Sequence, residues 1–434
     1  MENLSEFENI GHKIHKLASK LWPLNRSITG KGVRETLKII FDILPELKVY
    51  SVPTNEKVFD WIVPREWEVK KAYIINPKGE KICDFSKNNL HLVGYSVPYK
   101  GTLNLTELKK HLYTLPDQPD AIPYITSYYR ERWGFCLTQN QLDTLEDGNY
   151  EVIIDSNLFD GELNYGELLI KGKNEKEIFL STYICHPSMA NNELSGITVL
   201  TFLAKWLTEI RNLEYSYRIV FIPETIGSIT YLSRNYKEMK NKVFAGFNVT
   251  CVGDDRAYSY IPSRNGDTIS DLTAKHVLKW IDKNFIIYSW LDRGSDERQY
   301  CSPGIDLPIS SILRTKYGKY PEYHTSLDNL EKVVTPDGLK GGYIAIRKAI
   351  EAIEKNKKYK VTVLCEPQLD KLGLYPTLSQ RERDEEVSLM LNLISFCDGK
   401  TSLLKIAENL NKPIWELYNV VEKLKDHNLI QATD

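Results

Sequence analysis

Lys176–Leu200 reads KEIFLSTYICHPSMANNELSGITVL, and its two halves call for different backbones. Ile178 to Ile184 is a short apolar run rich in β-branched and aromatic residues, the length and composition of a buried strand. Pro187 lacks the N–H that pairing needs, so the strand stops at Cys185-His186 and leaves an imidazole at its carboxyl edge. Asn192-Glu193-Leu194-Ser195-Gly196 then opens an apolar helix running through Leu207. In open α/β sheets ligands bind at strand carboxyl ends, and an imidazole followed by polar groups at a helix start suits a metal or an anion. A capped helix beside an ordinary surface histidine is the competing reading of this stretch.

Working outward, strand–helix alternation continues from Gly166. Strands are predicted at Glu167–Lys171, Ile178–Ile184, Arg218–Ile222, Phe244–Cys251, Ile286–Tyr288 and Ile309–Leu313, with helices at Ser195–Arg211, Ile226–Tyr236, Ser270–Asn284 and Pro336–Glu354. This is the pattern of a doubly wound, mainly parallel α/β sheet. Before it lie an amphipathic helix over residues 1–20, a polar loop at 23–32 and a second helix over Val33–Leu44. Arg26, Ser27 and Thr29 in that loop could bind an anion, or the loop could simply cap the helix. Residues 60–165 change character: β-like runs (Ala72–Ile75, Leu90–Val93, Glu151–Ile154) between turn residues predict an inserted β-rich domain. The expected domains are 1–59 and 166–375 for the two parts of the α/β domain, 60–165 for the insert and 386–434 for a winged helix behind a linker at 355–385. The winged helix is read from helices at Glu386–Phe396, Ser402–Leu410 and Ile414–Asp426, a turn at Cys397–Lys400 and a strand-like tail.

Composition excludes several function classes. A length of 434 residues needs more than one core, and 42% apolar with 26% charged content is that of a soluble globular chain. A formal charge of −2 argues against non-specific nucleic-acid or anionic-membrane binding. No apolar run approaches the ~18 residues of a membrane span. Seven cysteines without a CxxC pair read as reduced thiols, so a cytoplasmic location is expected. Trp415–Lys425 carries as many acids as bases, whereas a DNA-reading helix carries a basic face. The winged helix is therefore expected to contact a protein partner.

Further polar groups gather at other strand ends. Glu224 follows the Arg218–Ile222 strand, where a carboxylate beside a metal-bound water acts as general base. Asp254 and Asp255 follow the next strand. With Arg256, Tyr258, Tyr260 and Arg264 they form a polar–aromatic run, and Arg293, Asp296, Glu297 and Arg298 form another. Both suit a polar ligand bearing hydroxyls or a carboxylate, or else a surface salt-bridge network. Glu322–Asp328, EYHTSLD, closes the set.

The succession His186…Asn192-Glu193-Leu194-Ser195-Gly196…Glu224-Thr225-Ile226-Gly227…Gly294-Ser295-Asp296…Tyr323-His324-Thr325-Ser326-Leu327-Asp328 resembles the co-catalytic zinc aminopeptidases. More closely, the whole chain resembles bacterial polysaccharide-biosynthesis-associated proteins with an aminopeptidase-like domain, a β-rich insert and a C-terminal winged helix. That resemblance implies Glu224 as general base, His186 as ligand of one zinc and His324 as ligand of the other. At three positions where the aminopeptidases carry acidic ligands this chain has Asn192, Thr225 and Thr250. The expectation is therefore one zinc on His186, His324 and an oxygen donor (Asn192, with Glu193 or Glu297 as substitutes), or a metal-free pocket. Asp254, Asp255, Arg264 and Asp296 are further candidate contacts to metal or to a small polar substrate. The expected function is an aminopeptidase- or amidase-like hydrolase of polysaccharide or cell-envelope metabolism; the alternative is a catalytically weakened ligand-binding or regulatory protein. An oligomer is compatible with either.

Overall fold

The computed structural model describes residues 9–374 and 385–433. The first eight residues of the expected N-terminal helix, the end of the expected linker (375–384) and Asp434 lie outside that range. In chain order the main elements are α1 (Ile10–Leu21), α2 (Lys31–Phe41), β1 (Lys48–Pro53), β2 (Glu66–Ile75), β3 (Lys81–Ile82), β4 (Tyr99–Asn104), β5 (Asn149–Phe159), β6 (Glu162–Ile170) and β7 (Glu177–Tyr183). Then come α3 (Ser195–Glu209), β8 (Ser216–Ile222), α4 (Ile226–Lys242), β9 (Val243–Asn248), β10 (Ser259–Ile261), α5 (Ile269–Ile281), β11 (Ile286–Ile287), β12 (Ile309–Leu313) and α6 (Pro336–Glu354). The C-terminal part adds β13 (Lys358–Val361), α7 (Glu385–Ser395), β14 (Asp398–Ser402), α8 (Leu403–Leu410), α9 (Ile414–Asp426) and β15 (Ile430–Thr433).

Eight strands form the main sheet in the order β1-β6-β8-β7-β9-β12-β10-β11. Its centre is parallel, β8 with β7, β7 with β9 and β9 with β12, while β1, β6 and β10 join antiparallel. All seven residues of β7 are buried, which is why its sequence shows no apolar–polar alternation: both faces of a central parallel strand are covered. Gly196 lets α3 lie close to the sheet. A Cβ there would come within 2.5 Å of Thr182 Oγ1 and of the Val249 carbonyl. Between β7 and α3 the chain makes a fully buried π-helical turn, Ala190–Leu194, the place where the amino-acid pattern switches from strand to helix.

The predicted insert does form a separate four-stranded sheet, β3-β2-β5-β4, and β5 passes into β6 of the main sheet through Asp160-Gly161. By compactness these residues belong to one unit, 1–271 with 285–344; 272–284 and 345–434 form a second. Leu90–Val93, expected as strand, instead contains the 3-10 turn Asn89–His91, because the Asn88 side chain accepts from Leu90 N at 3.0 Å and caps it.

In the second unit, β14-β13-β15 form a three-stranded antiparallel sheet beside α7, α8 and α9. The stretch expected as linker therefore begins with a strand, and the expected turn at Cys397–Lys400 begins another. Neither was visible locally. β13 is Lys-Tyr-Lys-Val, and its pairing to Thr433 and Ser402 is a long-range choice.

Candidate functional site

The carboxyl ends of β7 and β8 bring His186 and Glu224 together, and the loop before Asp328 supplies His324. His186 is buried, and its Nδ1 lies 3.0 Å from Glu193 Oε2. A carboxylate there accepts the Nδ1 proton and leaves Nε2 with a free lone pair. Arg26, wholly buried, stands behind the pair: Nε donates to the His186 carbonyl at 3.0 Å and Nη1 to the Leu21 carbonyl at 2.7 Å. Its Nε also lies 3.4 Å from Glu193 Oε1. Burial raises the Glu193 pKa, and the Arg26 guanidinium opposes it by favouring the carboxylate. The capping loop expected at 23–32 thus serves another purpose: α2 begins at Gly30 with no side-chain cap, and Arg26 braces the strand end.

His186 Nε2 is 3.8 Å from Glu224 Oε2. The His186 and His324 rings are 5.5 Å apart, and the Tyr124 ring sits 5.2 Å from each. Tyr323 stacks on His324 at 3.9 Å. His324 adopts a left-handed backbone, φ +56°, with its carbonyl accepting from Tyr124 N at 2.9 Å. Its Nε2 is buried without a hydrogen-bond partner. Burial pushes both imidazoles down to about 3, helped by Arg26 at His186 and by His186 at His324. Both are neutral at pH 7, the state a metal ligand requires.

Glu224 retains a fifth of its side-chain exposure. Burial first, then the charge of Asp296, raises it well above the usual carboxylate range. Asp296 Oδ1 accepts from Thr225 N and from Ser228 Oγ, both at 2.8 Å, while Oδ2 is buried and unpartnered. Burial lifts Asp296 to about 6. Arg298 Nη2 donates to Thr225 Oγ1 at 2.6 Å, and its Nε has no partner.

The other half of the centre is neutral and closed. The Tyr183 hydroxyl lies 2.6 Å from Thr250 Oγ1 and 3.2 Å from Asn192 Oδ1, and it donates to the Asn192 carbonyl. Asp328 accepts from Asn191 N at 2.7 Å, Asn192 N at 3.0 Å and the Tyr320 hydroxyl at 3.0 Å, fixing the π-helical turn. Two dications ~4 Å apart repel by roughly 15–20 kcal/mol even at an effective dielectric of about 20, so a pair needs bridging acids. Asn192, Thr225 and Thr250 supply none, and the donor set does not fit two ions. Toward a single ion it offers two neutral imidazoles with ring centres 5.5 Å apart, one with an orphaned nitrogen, and Glu224 Oε2 3.8 Å from His186 Nε2.

The remaining sequence candidates have other partners. Asp254 accepts from Asn191 Nδ2 (2.9 Å), Thr315 N (2.9 Å), Thr315 Oγ1 (2.7 Å) and Arg256 N (2.9 Å), which makes it a buried tie between loops. Asp255 holds Thr335 Oγ1 at the surface (2.5 Å), and Arg264 pairs with Asp306. Glu297 is enclosed by Gly294 N (2.8 Å), Ser295 N (3.0 Å), the Tyr317 hydroxyl (2.6 Å) and Asn248 Nδ2 (3.0 Å). Pattern reading grouped these with the centre because acids after strand ends look alike until their partners are known. It missed Tyr183, which reads as a core aromatic within β7, and Tyr124, which no local signal marks. Cys185 was quoted only as a strand end, yet with His186 and Glu193 it forms the cluster of potential ligand atoms within 4.8 Å of one another among the described residues.

Comparison with known proteins agrees with this fold. Residues 15–356 match the family model described as a domain of unknown function, DUF4910, and residues 357–432 match a winged helix-turn-helix model. A protein of Clostridium acetobutylicum named for polysaccharide biosynthesis and an aminopeptidase-like domain is 47% identical over 411 residues, 94% of this chain and 92% of that protein. A crystal structure from the same species, described as that of a peptidase, superposes with a TM-score of 0.92 at 44% identity, covering 99% of each chain. The zinc aminopeptidase of Bacillus subtilis shares the fold at 12% identity, with a TM-score of 0.59 over 80% of this chain and 94% of its own.

Proposed function

The chain belongs to the DUF4910 family of aminopeptidase-like α/β proteins with a C-terminal winged helix, and from that premise we propose that it hydrolyses an amide with the help of one zinc ion. His186 Nε2 and His324 Nε2 would hold the ion, with an oxygen donor completing the site. A zinc ion so held supplies a Lewis acid and lowers the pKa of water. Glu224 accepts the proton of the attacking water and passes it to the leaving nitrogen; its burial and the nearby Asp296 charge favour the protonated form it reaches in mid-reaction. Arg26 and Glu193 keep the His186 ring in one tautomer, and Tyr124 and Tyr323 wall the centre from solvent. The observation that carries this reading is the buried, unpartnered His324 Nε2 opposite His186 and Glu224.

The name of one relative, which mentions polysaccharide biosynthesis, supports a substrate from polysaccharide or cell-envelope metabolism, and the lack of a basic excess on α9 favours a protein partner for the winged helix. No helix among the described residues is long and apolar enough to cross a membrane. A second reading, a ligand-binding protein without turnover, is favoured by the Tyr183–Asn192–Thr250 hydrogen bonds that occupy the acidic half of a two-metal site. Zinc content separates the two. About one ion per chain, lost in His186→Ala and in His324→Ala, supports the hydrolase. No binding of added zinc sinks it, and two ions per chain contradict the single-ion assignment.

A further inference from the structure

Arg298 is out of balance with its surroundings. Arg34, Arg218, Arg256 and Arg264 each meet a carboxylate within 4 Å: Glu66 at 2.6 Å, Glu177 at 2.6 Å, Glu322 at 2.7 Å, and Asp306. Arg298, half-buried and next to the centre, has no such partner among the described residues. Its one hydrogen bond goes to the neutral Thr225 hydroxyl, at 2.6 Å. Its Nε is buried and donates to nothing, and Asp296, which feels the Arg298 charge, has a buried Oδ2 that accepts nothing. A guanidinium offers five donors in a planar fork, so a tie to Thr225 alone leaves most of that capacity unspent. Leaving a buried donor unmade costs about 1–3 kcal/mol, which selection tolerates where a ligand completes it.

We infer that Arg298 is a specificity residue that receives a carboxylate of the substrate, so that the substrate class is an amide carrying a carboxylate beside the scissile bond. The inference rests on the proposed amide hydrolysis for the role of the bond, though not for the binding itself. Position supports it: Thr225 follows Glu224 directly, so an anion on Arg298 lies one residue from the proton acceptor. The charge around it is mixed: Arg298 offsets the repulsion of Asp296 and Glu297 at Glu224, so the guanidinium is the positive group that an anion beside Glu224 would meet. A planar carboxylate matches the fork in two contacts, which a lysine cannot reproduce. Asp296 Oδ2 can take a donor of the same ligand, such as an amide N–H.

The test is calorimetric binding of two probes, N-acetyl-L-alanine and its carboxamide N-acetyl-L-alaninamide, to zinc-loaded full-length protein. Wild type is expected to prefer the carboxylate probe by about tenfold or more, as a charge-assisted bidentate contact requires. Arg298→Met should abolish the preference while retaining the zinc content of wild type, and Arg298→Lys should keep only part of it. Equal affinity of wild type for both probes, binding of neither at millimolar concentration, or an unchanged preference in Arg298→Met would overturn the inference. If Arg298→Met does not fold, the wild-type probe ratio and the lysine variant still decide. A carboxylate preference in a protein that never hydrolyses any amide would refute the hydrolase and leave the Arg298 subsite standing.

Discussion

Strand β8 carries a buried charge cluster near each of its ends, and the two are built to opposite rules. Near the amino end, Arg218 is saturated. It meets Glu177 at 2.6 Å and 3.1 Å, Glu167 at 3.0 Å and the Tyr231 hydroxyl at 3.0 Å. Past the carboxyl end, around Glu224, five buried atoms lack hydrogen-bond partners: Arg26 Nη2, Glu193 Oε1, Asp296 Oδ2, Arg298 Nε and His324 Nε2. The same strand thus holds one cluster whose polar groups satisfy one another and one whose groups wait for something else. A saturated cluster stabilises the sheet, whereas an unsaturated one spends stability on holding donors and acceptors ready.

The comparison breaks first if the two clusters respond alike to mutation. Arg218→Met removes one partner of a buried pair and should cost about 3–5 kcal/mol in urea unfolding. Glu224→Gln should instead lower turnover by roughly 10²–10⁴-fold while the unfolding midpoint holds or rises, measured on the same preparations. A large stability loss in Glu224→Gln would mean that the carboxyl end is structural too. Tyr183→Phe comes next. It deletes the hydroxyl joining Asn192 to Thr250 and should destabilise by about 1–3 kcal/mol with zinc content unchanged; loss of zinc would show that the neutral half takes part in metal binding.

The smallest effect concerns a third cluster, in the C-terminal unit, where His276 Nδ1 lies 2.5 Å from Glu408 Oε1. Burial lowers the His276 pKa despite Glu408, and hydrogen bonding and charge from His276 help to lower Glu408. Both groups bind fewer protons folded than unfolded, so their stability contribution is present above the unfolded histidine value and is lost as pH falls. Glu408 is partly exposed, and solvent screens the pair. Amide exchange in α9 should accelerate modestly between pH 7 and pH 5.5, and His276→Gln should flatten that dependence. Faster exchange at higher pH, after correction for intrinsic rates, would reverse the sign.

How much of this could be read from the chain depended on range. Ile309–Leu313 and Pro336–Glu354 were assigned to the residue because local periodicity carries them. The resemblance in motif order singled out His186, Glu224 and His324, and the structure brings the three together. Whatever depends on partners distant in the chain stayed hidden. Arg26 and Glu193 are 167 positions apart, and Tyr183 and Thr250 are 67 apart. The β13 strand is four residues whose pairing is decided elsewhere. Asp254 and Glu297 looked like ligands because sequence shows a carboxylate but not what already surrounds it.

The contact between Tyr124 N and the His324 carbonyl, together with the Pro123–Thr325 bridge, has a consequence for anyone treating the chain as modular. The β-rich insert, with its own four-stranded sheet, looks like a detachable cassette between two parts of the main fold. Yet it supplies the backbone that pins His324 and the Tyr124 ring that packs beside both histidines. Excising it would remove a wall of the centre along with the ornament, and grafting it elsewhere would carry half a site. Through these contacts the insertion and the centre it faces form one structural unit.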